Sequence, residues 1–136
     1  MDTEHIASAV LDNIREAVYV LDLDMNILYI NLASEQLTGR SLKAALGKKC
    51  WKIFGDEDLT CRDVCPIEKV IAEEHALAHH ERELKTRDGQ VRRMAVSISS
   101  LRFQERIEGA TVIMDDITEF RRLEYTNLKT LIKLER

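Results

Sequence analysis

The chain has no excess of positive charge: 20 basic residues stand against 24 acidic ones, a formal net charge of −4. It therefore lacks the positive field that drives phosphate binding, and direct nucleic-acid contact or docking on an anionic membrane is not expected. No apolar run approaches the roughly 20 residues that span a bilayer. The N-terminus has no basic start followed by an apolar core and a small-residue cleavage site. A cytoplasmic location is expected from these absences. No GxxxxGK[ST] phosphate loop is present, and the serines and histidines form no nucleophile–base motif, so no enzymatic activity is expected. Proline and tryptophan occur once each and cysteine three times, all of them within residues 50–66, CWKIFGDEDLTCRDVCP. An odd number of thiols in a reducing compartment argues against a disulfide framework and leaves metal binding, redox sensing or burial.

What is present suits one domain. At 136 residues with 45% hydrophobic and 32% charged side chains, the chain can bury a core and keep a soluble surface. In residues 3–14, Ile6, Val10 and Ile14 recur at helical spacing behind a cap from Asp2 or Thr3, which predicts an amphipathic helix. Two apolar runs, Ala17 to Leu21 and Ile27 to Ile30, flank turn formers and read as a β-hairpin. Two short helices follow in residues 31–49, each stopped by a glycine, Gly39 or Gly47. Pro66 suits the first turn of a helix running to about Glu74, capped by Asp63, with Ile67, Val70 and Ile71 facing inward.

From His79 the period changes to two. Asp88-Gly89 signals a hairpin between a polar strand and one whose apolar positions are Val91, Met94, Val96, Ile98 and Leu101. Residues 106–109, RIEG, read as another turn, ATVIMDD as the last strand, and the stretch from Thr118, taken as N-cap, as a terminal helix. Strands in runs with helices segregated between them imply an α+β domain with helices on one face of a single sheet.

Three phrases, AVYVLDLDMNILYINLASEQLTG, LKTRDGQVRRMAVSIS and GATVIMDDITEFRRLE, occur in the order found in PAS sensor domains, and the chain resembles that family over roughly residues 5–122. The resemblance implies a five-stranded antiparallel sheet of order 2-1-5-4-3, with a small cavity between the sheet and the short helices, and flanking N- and C-terminal helices. Residues 1–15 would be a cap helix, 16–118 the core and 119–136 a signalling helix. It also implies a sensory and dimerisation module of a bacterial signal-transduction or transcription-regulatory protein such as a histidine kinase. Such a module works as a homodimer, with a small-molecule ligand and an output domain on the same or a partner protein. Asp116, Ile117 and Thr118 match the Asp-Ile-Thr that closes many such cores, and they are the residues expected to transmit a signal. Trp51, Phe54, Val70, Met94 and Val96 are the expected cavity wall.

A subset of the family also has a cysteine followed by a Cys-x3-Cys-Pro segment, matched here by Cys50, Cys61 and Cys65. The spacing C-x10-C-x3-C is no standard zinc or ferredoxin pattern and offers three ligands where four are usual. The first expectation is that the thiols pack reduced with no cofactor. A metal or iron–sulfur redox sensor is the alternative, with a fourth ligand from His75, His79 or His80, and a purely structural dimerisation module is another. Haem is not expected, because the 66–74 helix carries no histidine, and neither is flavin, because the Asn-Cys-Arg-Phe-Leu-Gln motif of light sensors is missing. In the terminal helix, Phe120, Leu131 and Leu134 fit one heptad seam with Glu124 and Asn127, while Tyr125, Leu128 and Ile132 fit another.

Overall fold

The computed structural model describes residues 2–54, 66–74 and 76–134, with the backbone alone for 77–79. Its elements run α1 (Thr3–Asp12), β1 (Ala17–Asp22), β2 (Ile27–Ile30), α2 (Leu32–Thr38), α3 (Leu42–Ala45), α4 (Cys50–Ile53), α5 (Pro66–Glu73), β3 (Leu77–Lys85), β4 (Val91–Phe103), β5 (Arg106–Asp116) and α6 (Thr118–Leu134). The strands form one antiparallel sheet of order β2-β1-β5-β4-β3, as the resemblance implies.

Alternation along the strands decides the faces. Ala17, Tyr19 and Leu21 of β1, Met94, Val96 and Ile98 of β4, and Ala110, Val112 and Met114 of β5 point to the helix-covered side and join one buried cluster with Phe54, Ile67 and Val70. Tyr19 and Phe54 stack face to face, centroids 3.9 Å apart and planes within 12°, tying the end of α4 to β1. Ile71 packs against the same cluster. The opposite face of β4 and β5 is more open: Ile113 remains 40% exposed. Val91 and Leu101, expected among the inward positions, have the wrong parity for the core. Val91 is exposed and Leu101 lies outside the cluster.

The turns differ from expectation in an instructive way. Asp88-Gly89 closes as a longer loop in which Thr86 and Gln90 pair (N···O 2.8 Å), and only Gly89 takes a left-handed φ, +87°. Conversely, the β4–β5 turn is not at 106–109. It is the two-residue turn Gln104-Glu105, with φ of +51° and +66°, the backbone that matches strand twist. Residues 106–109 belong to β5 instead. Gly109 is needed there because a Cβ on it would lie 1.8 Å from the Leu21 carbonyl oxygen of β1.

Helix α1 begins at an Asp2 cap, as expected, but ends at Asp12 and buries no residue. Ile6 and Val10 stay about half exposed, so the wide apolar stripe of α1 does not pack on the sheet of its own chain. Its C-terminal end is instead held by Asn31, the N-cap of α2. This fully buried side chain accepts from the amides of Val18 (2.9 Å) and Ser34 (3.0 Å). It also donates to the carbonyls of Leu11 (2.9 Å) and Glu16 (3.0 Å). Sequence reasoning passed over Asn31, although an Asn directly before a helical apolar run is an N-cap signal.

Candidate functional site

The last ladder pair of β4 and β5 is Met94 with Asp116, and there the backbone of β5 turns into α6. The ladder nonetheless continues for one more rung. Ile117 donates its amide to the Arg93 carbonyl (2.8 Å), and the Arg93 amide donates to the hydroxyl oxygen of Thr118 (2.7 Å). A side chain thus stands in for the carbonyl that the helical backbone has turned away. Thr118 is the first residue of α6 rather than its cap: Ile117 gives the first helical carbonyl, to Arg121, while the Thr118 hydroxyl faces β4.

Asp116 closes the knot. Its Oδ1 accepts from the Thr118 hydroxyl (2.6 Å) and amide (3.0 Å), and its Oδ2 accepts from Nε of Arg92 (2.7 Å). Partial burial works against the Asp116 charge, yet the hydrogen bonds from Thr118 and Arg92 outweigh it and hold the carboxyl below its ordinary range. A carboxylate held low in the folded state adds stability above its unfolded pKa, and that contribution is lost as the pH falls through the folded value. The thermal midpoint is therefore expected to fall more steeply below about pH 4 in the wild-type chain than in Asp116→Asn. Parallel slopes in thermal melts between pH 7 and 3 would contradict that assignment.

Beside the joint, a cleft of about 420 Å³ opens on the outer sheet face, lined by Glu81, Ala95, Asp115, Ile117, Phe120 and Arg121. Arg121, one turn into α6, reaches across it to Glu81 of β3 (Nε···Oε1 2.9 Å), and Arg93 approaches the other oxygen of Glu81 (3.3 Å). Hydrogen bonding from Arg121, opposed by slight desolvation and helped by Arg93, holds the Glu81 carboxyl below its ordinary range.

The expected cavity-wall residues come together. Phe54, Val70, Met94 and Val96 are all buried in the core cluster, and Trp51, half-buried, packs against it. Cys50 opens α4 and is itself buried in that cluster. Cys61, Cys65, Asp63 and His75 lie outside the described residues, as does the side chain of His79. Of the remaining histidines weighed as ligands, His80 is exposed on β3. Among the described residues no three His, Cys, Asp or Glu side chains gather closely enough to hold a metal ion. No described helix is long and apolar enough to cross a membrane.

Comparison with known proteins agrees with this architecture. No curated protein matches the chain. Among solved structures, the chain is similar to a PAS domain of a protein from Colwellia psychrerythraea, at TM-score 0.72 and 21% identity over 87% of this chain and 99% of that one. It is also similar to the PAS domain of nitrogen regulation protein NR(II) from Vibrio parahaemolyticus, at TM-score 0.63 and 22% identity over 82% and 98%. A third similar structure is the Vibrio cholerae VqmA dimer, described with LuxR-type receptors, at TM-score 0.74 and 16% identity. That match takes in 88% of this chain but only 53% of the other, so this chain spans about half of VqmA. A family model described as the PAS fold matches residues 11–122, most of the chain, and the chain belongs to the PAS family.

Proposed function

We propose that this PAS domain is the sensory and dimerisation module of a bacterial signal-transduction or transcription-regulatory protein, and that it passes a ligand or redox input to an output domain through α6. The observation that carries this reading is the exposure of α6. The helix is tied to the sheet at its first turn by the Asp116–Thr118 knot, yet along its 17 residues it buries none. Leu123, Tyr125, Leu128, Leu131, Ile132 and Leu134 are each 49–77% exposed. Leaving large apolar side chains in water forgoes about 1.5–3 kcal/mol apiece relative to full burial. A second α6 placed alongside would recover part of that. VqmA, to which the chain is similar in fold, is itself a dimer.

In this reading Asp116, Ile117 and Thr118 are the transmission joint. A rearrangement of the core around Phe54, Val70, Met94 and Val96 shifts β4 and β5, and α6 follows because its first residue is a rung of their ladder. Removing residues 119–136 tests the dimer. Sedimentation equilibrium is expected to show the full chain as a dimer and the shortened chain at least about tenfold weaker in self-association, the equivalent of about 1.4 kcal/mol. Equal association constants would place the dimer contact elsewhere.

A further inference from the structure

Glu81 and Arg82 are adjacent on β3, an edge strand, and successive strand side chains point to opposite faces. Arg82 lies on the helix-covered face, in register with Met94, and its Nη2 donates to the backbone carbonyl of Phe54 at 3.1 Å. Phe54 caps the C-terminal end of α4, the helix that carries Cys50 and Trp51, where helical carbonyls have lost their own partners. Glu81 lies on the outer face, in register with Ala95, and holds Arg121 of α6 with one oxygen and Arg93 of β4 with the other. One dipeptide thus touches α4 on one side of the sheet and α6 on the other.

The strand bearing it lies at an edge of the sheet, where movement meets a neighbour on one side only. β3 is bonded to the sheet along one side only, and its register with β4 is irregular between Leu77 and His80. The knot at Asp116 and Thr118 fixes where α6 begins, but a helix hinged at one residue can still lean. Arg121 lies a full turn further along, so its grip on Glu81 fixes the direction.

We propose that Glu81 and Arg82 form a second route between the helical side of the domain and α6, running through β3 and separate from the β5–α6 joint. Arg82 registers the position of the 50–54 segment, and Glu81 sets the lean of α6; both are positioning residues. The inference rests on α6 being the output element, but the coupling inside the chain can be measured without any output.

The test is a mutant cycle on the isotope-labelled 136-residue chain, read by residual dipolar couplings of the α6 amides with β1 and β5 as internal reference. Glu81→Gln is expected to reduce the α6 couplings by about half, as a helix swinging through a wider cone requires. Arg82→Gln is expected to change them too, although Arg82 lies on the opposite face of the sheet from Glu81, and to add nothing further in the Glu81→Gln background. Unchanged α6 couplings in Arg82→Gln, or a change of the same size with and without Glu81, would overturn the route. Arg121→Gln is expected to reduce the α6 couplings as much as Glu81→Gln does, and the two changes together no further than either alone. Additive losses would overturn the clamp even if Arg82→Gln did not fold. Couplings that respond as stated, in a protein whose output does not, would retain this route and remove α6 as the output element.

Discussion

Replacing Gly109 by alanine is expected to be among the most damaging single-atom additions to this domain. A Cβ there would sit 1.8 Å from the Leu21 carbonyl oxygen and 3.0 Å from Asp22 Cα, both backbone atoms of the neighbouring strand. No rotamer relieves an overlap with backbone, so β1 and β5 must part where Asp22 and Gly109 pair. These strands lie at the centre of the sheet, and Leu21, Ala110 and Val112 beside the contact are fully buried. The change therefore strains the ladder and the core together. We expect a loss of about 4 kcal/mol, at the top of the usual range for point substitutions. For a domain of this size that lowers the thermal midpoint by about 15 °C. Gly89 is a fitting control. A Cβ there meets nothing within 4 Å, so alanine costs only the strain of its left-handed φ, on the order of 1–2 kcal/mol. Equal midpoints for the two variants, read by thermal melts, would contradict the account of Gly109.

The second large effect is expected at Asn31. Its side chain uses its two amide hydrogens and accepts two backbone donors, and so joins α1, the 13–16 connector, β1 and the start of α2. Asn31→Ala removes the α2 cap and strands the Val18 amide, whose only replacement partner would be water that the buried site must admit. A loss of about 3 kcal/mol is expected, with increased amide exchange in α1 before the rest of the domain. Asn31→Asp is expected to cost more. It keeps both acceptor contacts but turns a donor toward the Leu11 and Glu16 carbonyls into a second buried oxygen, charged or protonated. Melts that rank Asp above Ala in stability would show that the amide hydrogens of Asn31 contribute little.

These two residues also mark where sequence reasoning stopped. Element type and order were legible because the apolar periods are clear: two in MAVSI, about 3.6 in the first and last helices. The chemistry at the joint was legible too, since Asp116 and Thr118 are short polar residues at a strand-to-helix change. Gly109 was read as punctuation, because a glycine in a polar stretch between two apolar runs looks like a turn until the facing carbonyl of Leu21 is seen. The actual turn, Gln104-Glu105, has no glycine to announce its left-handed backbone. Asn31 was passed over even as a cap, and its partners at Leu11, Glu16 and Val18 are 13 to 20 residues away along the chain and carry no local signal. The pairing of Glu81 with Arg121 across 40 residues is similarly invisible to periodicity. For Cys61 and Cys65, which lie outside the described residues, only the spacing in the sequence speaks.

The functional account stands on the claim that α6 is moved through its first residue. The most direct measurement is the signal output of the intact regulatory protein carrying Asp116→Asn together with Thr118→Val, which removes the side-chain rung and leaves the strands paired. The account predicts output that no longer responds to stimulus, by about tenfold or more, with a thermal midpoint within about 5 °C of wild type, because only exposed or half-buried hydrogen bonds are lost. Unchanged, stimulus-responsive output in that variant would contradict it.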